Sequence, residues 1–224
     1  MDISKIVKNL GVLLDSTLSM KNQINKVVKE VNYHLRNIAF VKKYIDKGSL
    51  TKLIHNHVIS RIDYCNSLYY GLPDYLLRKL QLLMNRAARL IEDVPFRDRI
   101  TPILIRLHWL PVKARIVYKI CVLVFQAITT GKPVYIRTLL ANFEPDMLIL
   151  TRHGRNPLWL EEPRCRLQLG FRSFRVSAPR LFNRLPDEVK RSSNMSVFKR
   201  KLKTFLFGDC YTDDFRMTER YRIG

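Results

Sequence analysis

The sequence is constrained above all by apolar stripes that recur with helical periodicity. The first begins after Asn22, where apolar side chains return every three or four residues from Ile24 to Ile38, as on one face of a long helix. A helix that is apolar on one side only must bury that side against other elements. The opposite side carries Lys26, Lys29, Tyr33 and Arg36.

Further stripes extend this pattern into a helical bundle. Apolar residues over 53–62 predict a second helix with Ser49 as its cap, and those over 76–91 predict a third helix capped by Asp74. The outer side of the third helix carries Arg78, Lys79, Arg86 and Arg89.

The helical pattern continues to residue 141. Thr101 before Pro102 predicts the start of a short helix, which a break at 108–111 ends. Trp109 in this break is interpreted as a packing residue. Beyond the break, the pattern predicts a helix to Thr130 and a short helix over Tyr135 to Ala141.

One short apolar run, Leu10 to Leu14, precedes the helices and predicts a buried strand. The nine residues before it contain no convincing hairpin partner, so the strand is expected to be unpaired. We therefore expect it to be the remnant of a truncated domain.

The amino-acid composition changes after Asn142, where prolines interrupt the helical periodicity and arginines replace lysines. Around Gly170 the sequence predicts a β-hairpin of 164–169 and 171–176, with Arg172 and Arg175 facing solvent. A single helical turn is expected over 178–185. Ser196 is predicted to cap a last amphipathic helix whose outer side carries Lys199, Arg200 and Lys203.

Charge indicates the class of partner. The chain has 40 Lys and Arg against 19 Asp and Glu, a formal net charge of +21, which favours a polyanion. No apolar run reaches the roughly 18 to 20 residues of a membrane span, so we expect no membrane role. Four cysteines without CxxC spacing fit reduced thiols inside a cell.

The sequence contains no convincing catalytic or metal-binding pattern. Its histidines and cysteines lack metal-ligand spacing, and no serine lies in a nucleophile elbow. Tyr211-Thr-Asp-Asp214 spells a polymerase-like motif, but a working pair of carboxylates needs a third on a neighbouring strand. Because this pair follows Gly208 in a polar tail, we interpret it as accidental. We predict no enzyme activity, cofactor, metal or small-molecule substrate.

Several strings in this order resemble one family, the non-LTR (LINE-type, jockey-like) retrotransposon reverse transcriptases, over roughly residues 10–207. The strings are Leu10-Gly-Val-Leu-Leu-Asp15, Tyr64-Cys-Asn-Ser-Leu68, Tyr70-Gly-Leu-Pro73, Asn85-Arg-Ala-Ala-Arg89, Leu107-His-Trp-Leu-Pro-Val112, Gly170-Phe-Arg-Ser-Phe174, Ala178-Pro-Arg-Leu-Phe-Asn-Arg-Leu-Pro186 and Phe198-Lys-Arg-Lys-Leu-Lys-Thr-Phe-Leu-Phe207.

The resemblance implies a domain organisation in which the polymerase active site is missing. Residues 1–18 would be a palm-edge strand, 19–142 a helical thumb-like domain, 143–207 a basic C-terminal extension and 208–224 a tail. The family's metal-binding aspartates belong upstream of residue 10. The expected fold is mainly α, a helical bundle similar to a polymerase thumb with a strand remnant and a small β-hairpin and helix extension.

The expected function is binding of RNA or RNA–DNA duplex through backbone phosphates by a catalytically inactive fragment, located inside the cell and in the nucleus. An intact polymerase is a further expected partner in trans. Alternative hypotheses are a poorly folding transposon-derived reading frame and a helical protein–protein interaction module. For any single lysine, the alternative is that its charge only keeps the outer face of its helix solvated. For Arg78, Arg86 and Arg89, the alternative is ion pairing with Glu92 or Asp93.

Overall fold

The computed structural model describes residues 6–140 and 159–211, which are mainly helical, as the sequence predicts. They also contain one small antiparallel sheet. The chain divides by packing into two compact units, Met1–Arg115 and Ile116–Gly224. The domain boundaries expected after residues 18, 142 and 207 stay predictions.

The N-terminal strand is not unpaired, so that prediction is wrong. Strand β1, Ile6–Asn9, pairs antiparallel with β2, Val12–Asp15. Leu10 and Gly11 form the two-residue turn with φ angles of 45° and 84°, as a type I′ hairpin requires. Leucine is uncommon at positive φ. Because Leu10 is apolar, it looks like the first residue of the apolar run, and the sequence does not show that β2 begins only at Val12.

The first unit consists mainly of α-helices. They are α1 (Lys21–Val41), α2 (Lys47–Ile54), α3 (Ser60–Asp63), α4 (Asp74–Glu92) and α5 (Ile100–Arg106), followed by α6 (Val112–Thr130), which crosses into the second unit. A π-helical turn, His55–Ile59, joins α2 to α3, and 3-10 turns occupy Lys42–Tyr44 and Asn66–Tyr69.

The predicted apolar stripes form the core of this unit. Ile24, Val31 and Leu35 of α1 are completely or almost completely buried, and so are Leu80 and Ala87 of α4. Trp109 is also buried, as its interpretation as a packing residue requires. The periodicity therefore identified the buried faces.

Two predicted serine caps are wrong because a neighbouring acceptor takes their place. Asp46 caps α2 and accepts a hydrogen bond from the backbone N–H of Ser49 at 2.9 Å. Asn194 lies just before the last helix, α11 (Met195–Tyr211), and accepts one from the N–H of Val197 at 2.9 Å, so Ser196 is inside that helix. Asp and Asn are at least as good N-caps as Ser.

Two other helix starts also differ by a residue. Asp74 is the first residue of α4, and the N-cap position before it is occupied by Pro73, which makes no side-chain capping hydrogen bond. Thr101 is inside α5, which begins at Ile100. An acidic residue in the first turn also stabilises a helix, because its charge interacts favourably with the helix dipole. An aspartate at the N-cap and one at the first helical position are therefore hard to distinguish in the sequence.

The described residues of the second unit form further helices and no hairpin. They are α7 (Val134–Leu139), α8 (Gln168–Arg172), α9 (Phe174–Asn183), α10 (Asp187–Lys190) and α11 (Met195–Tyr211). The predicted strands at 164–169 and 171–176 are wrong. The turn predicted over 178–185 overlaps the second half of α9, which ends at Asn183. Aromatic residues at 171 and 174 are three apart, which is helical spacing rather than the alternation of a strand.

Stacked aromatic rings form the core of the second unit. The rings of Phe125 and Phe198 lie parallel with centroids 4.0 Å apart, and Phe182 lies 6.4 Å from Phe198. Helix α11 continues to Tyr211, past the predicted end of the basic region at residue 207. Among residues 6–140 and 159–211, every helix is too short or too polar to cross a membrane.

Candidate nucleic-acid interface

Two hydrogen bonds tie the basic side of α4 to α1. Lys79 donates to Asn25 at 3.0 Å, and Arg86 donates to Asn32 at 3.1 Å. Both pairs are 54 positions apart in the sequence, so the two helices run parallel and in register. We call this surface the α1–α4 seam, and its two contacts are about 10.5 Å apart, the rise of two helical turns.

Exposed cations flank the seam on both helices. Lys29 and Arg36 lie one turn beyond Asn25 and Asn32 on α1, and Arg78 lies beside Lys79 on α4. Lys29, Arg36, Arg78 and Arg86 are exposed, and none of them takes part in an ion pair within the described part of the chain. The seam therefore presents uncompensated positive charge.

Acidic residues are scarce around the seam and are bound by other cations. Glu30, the one acid within α1, accepts a hydrogen bond from Arg61 at 3.2 Å. Glu92 at the end of α4 pairs with Lys47 at 2.8 Å and lies 3.8 Å from Arg106. The carboxylates do not neutralise the seam.

Asp93 completes this distribution of charge, because its carboxylate pairs with Lys42. The alternative in which Arg78, Arg86 and Arg89 pair with Glu92 or Asp93 is therefore not the arrangement found.

Arg89 uses its guanidinium locally. It donates to the carbonyl of Asp98 at 3.1 Å and lies 5.2 Å from the ring centroid of Phe96. These contacts hold the turn after α4, and the positive charge remains because both partners are neutral.

Lys26 also has a structural contact. Its ammonium group donates to the carbonyl of Gly11 at 2.9 Å and lies 4.0 Å from Glu30. It therefore fixes the β1–β2 turn to α1, and it is less available to a ligand than Lys29 or Arg36.

Tyr33 is the aromatic candidate on α1, and 57% of its surface is exposed. Its ring meets that of His34 at 5.5 Å and 74°, and His34 stacks on His57 at 5.1 Å. His57 belongs to the π-helical turn. The Tyr33 ring is thus held in position while much of it faces solvent.

The remaining candidates lie in the second unit. Arg175, Lys199, Arg200 and Lys203 are exposed, whereas Arg172 is half-buried at the end of α8. Arg172 and Arg175 lie on two different helices, so they do not form the strand face that the sequence predicts. Lys199 and Lys203 are one turn apart on α11.

Sequence reasoning missed three residues next to the first-unit candidates: Phe40, Lys43 and Tyr44. Phe40 and Tyr44 are 74% and 72% exposed, and the Lys43 ammonium lies 4.8 Å from the Tyr44 ring centroid. The missed signal is a seven-residue repeat in the sequence, in which Tyr33 precedes Phe40 on α1 and Arg36 precedes Lys43 in the 3-10 turn that follows.

The described residues give little support for a metal-binding site or a reactive cysteine. No group of three or more His, Cys, Asp or Glu side chains there is arranged to hold a metal ion. Burial raises the pKa of Cys210 to about 12, which disfavours its thiolate. Asp213 and Asp214 lie outside the described residues.

Comparison of the chain with known protein families, with curated proteins and with solved structures found no match.

Proposed function

We propose that this chain binds RNA or RNA–DNA duplex through backbone phosphates, without sequence preference and without catalysing a reaction. The observation that carries the proposal is the α1–α4 seam, where Lys79 and Arg86 are fixed by neutral amides and Lys29 and Arg36 lie alongside. Cations that are held in place but not neutralised are suited to phosphate contacts.

The finer identity rests on the family resemblance. We propose that the chain is an inactive fragment of a LINE-type, jockey-like reverse transcriptase, and that 19–142 corresponds to the thumb. In that family the thumb grips the template–primer duplex, and α1 and α4, which form the seam, belong to this segment. A nuclear location and an intact polymerase as partner in trans follow from the same resemblance.

The paired hairpin weakens one alternative. The hypothesis of a poorly folding reading frame rested on an unpaired strand at residues 10–14 together with an exposed palm-facing surface, and Val12 to Leu14 of that segment are paired with β1. A protein–protein module remains the competing function, and salt dependence separates it from phosphate binding.

The test is a titration of the full chain against a labelled RNA–DNA duplex over a range of salt concentrations. If about six phosphates are contacted, log affinity falls with log salt at a slope of about −4 to −5. A flat response, or tight binding to a protein that survives high salt and nuclease, would contradict the proposal.

Two variants with equal charge loss locate the site. The seam variant changes Lys29, Arg36, Lys79 and Arg86 to Gln and is expected to reduce the slope by about 3. The control changes four cations that already have acidic partners, and these are Lys42, Lys47, Arg106 and Lys113. It should change the slope much less, and equal effects would show that net charge alone attracts the nucleic acid.

A further inference from the structure

The exposed side of α1 carries aromatic residues that phosphate binding leaves without a role. Tyr33 and Phe40 are seven residues apart and therefore lie on the same side of the helix, about 10.5 Å from each other along its axis. They are 57% and 74% exposed. Beside this pair, Lys29 and Arg36 form a parallel row with the same spacing.

Single exposed apolar residues are common on protein surfaces, so exposure alone indicates no ligand. Here, however, the two rings repeat at the same interval as the cations beside them. The nearby acid, Glu30, is held by Arg61 at 3.2 Å. This surface combines flat apolar groups with positive charge, and the combination selects for a ligand that has both flat rings and negative charge.

A duplex does not meet this requirement fully. Its bases are stacked on one another, so a protein that lies along its backbone reaches phosphates and sugars rather than base faces. Unpaired nucleotides present open base faces next to their phosphates, and proteins that bind single strands use aromatic platforms beside basic grooves.

We propose that the exposed side of α1 binds unpaired nucleotides of an RNA strand, with Tyr33 and Phe40 stacking on bases and Lys29 and Arg36 contacting phosphates. The inference rests on the proposed nucleic-acid binding and specifies the ligand of its α1 side. The spacing of about 10.5 Å means that the two rings stack on different bases.

The structure distinguishes these two rings from a third aromatic residue nearby. Tyr44 is 72% exposed, but the ammonium group of Lys43 lies 4.8 Å from its ring centroid and covers one face. Tyr33 instead meets the ring of His34 at 74°, an edge-to-face contact that fixes its orientation. Tyr33 and Phe40 are therefore the stacking residues.

The test compares an oligouridine of about 15 nucleotides, which does not self-pair, with an RNA–DNA duplex of the same length by fluorescence anisotropy. The double variant Tyr33→Leu/Phe40→Leu keeps apolar side chains and removes the rings. We expect its affinity for oligouridine to fall by about tenfold or more, while duplex affinity changes by less than about twofold.

Two control variants make the result specific. Tyr33→Phe keeps a ring and should bind oligouridine as the unchanged chain does. Tyr135→Leu removes a 68% exposed ring from α7 and should also have no effect. A second readout is Phe40→Trp, whose indole fluorescence should change on addition of oligouridine and not of duplex.

The outcomes separate this inference from the proposed function. If the double variant binds both ligands as tightly as the unchanged chain, or loses both equally, stacking on α1 is wrong, whereas salt-dependent binding through the seam still stands. If the unchanged chain binds neither ligand, both proposals are wrong.

Discussion

The guanidinium of Arg86 donates a hydrogen bond to the side-chain oxygen of Asn32, 3.1 Å away. The amide fixes the direction of the cation without neutralising it, unlike the carboxylate of Glu92, which pairs with Lys47 at 2.8 Å. The contact between Lys79 and Asn25 repeats the arrangement two turns earlier. Parallel packing of α1 and α4 thus organises positive charge at a fixed interval.

The first prediction concerns the charge of Arg86. Arg86→Gln should weaken duplex binding and reduce the slope of log affinity against log salt by about 0.7 to 0.9, because one phosphate contact is lost. Lys47→Gln removes the same charge from an ion-paired position and serves as the control. Equal slopes for Arg86→Gln and the unchanged chain would exclude Arg86 from the interface.

The second prediction concerns the β1–β2 turn. Leu10 has a φ angle of 45°, which asparagine tolerates better than leucine, so Leu10→Asn should raise the free energy of unfolding by about 0.5 to 1 kcal/mol. Gly11 has a φ angle of 84°, and Gly11→Ala should lower it by about 1 kcal/mol. Urea unfolding measures both changes, and a loss of stability in Leu10→Asn would contradict the type I′ turn.

The third prediction concerns Asp15 at low pH. Burial acts to raise its pKa, but hydrogen bonds from Thr17, Ser19 and the N–H of Met20 outweigh it and lower the pKa from 3.8 to about 2. The charged form is favoured in the folded state, so this stabilisation is present above pH 3.8 and is lost as the pH falls to about 2. Asp15→Asn should be less stable at neutral pH and lose less stability over that range.

The fourth prediction concerns the core of the second unit. Phe198 is completely buried and stacks on Phe125 with centroids 4.0 Å apart. Phe198→Ala should lower the free energy of unfolding by about 3 to 5 kcal/mol, because it creates a cavity and removes the stacking. Phe205, which is only half-buried on the same helix, is the matched position, and Phe205→Ala should cost clearly less in denaturant unfolding.

The sequence predicted the long helices of this fold well because their stripes are long and continuous. The apolar stripes over Ile24 to Ile38 and Leu76 to Ile91 continue for several helical turns. One residue that does not fit therefore leaves the helical period recognisable. Val28 illustrates the limit, because it belongs to the predicted stripe but is only half-buried at its edge.

The short elements were predicted poorly because each depends on one or two residues. Leu10 occupies a turn position that normally favours Asn or Gly, and this atypical residue concealed the hairpin. The segment from Phe171 to Val176 offers only one pair of aromatic residues with helical spacing, and the burial of Val176, Ala178 and Leu181 in the structure belongs to a helix.

The candidate site was predicted as two separate basic stripes, whereas the structure joins them. Nothing in the sequence states that α1 and α4 are parallel with an offset of 54 residues, because the register is set by packing of their apolar faces. Asn25 and Asn32 had no predicted role for this reason.

The last prediction concerns His34, whose ring stacks on His57 at 5.1 Å. Burial lowers the pKa of His34 below 6.5, the charges of Arg61 and His57 lower it further, and Glu30 opposes them. As the pH falls, His34 is therefore protonated in the unfolded chain before it is protonated in the folded chain. Its neutral form contributes no penalty above pH 6.5, and the free energy of unfolding declines as the pH falls below that value. His34→Gln should remove part of this decline in urea unfolding between about pH 7.5 and 5. In proton NMR titrations, Arg61→Gln should raise the pKa of His34 and Glu30→Gln should lower it. Identical pKa values in both variants would show that burial alone shifts the group.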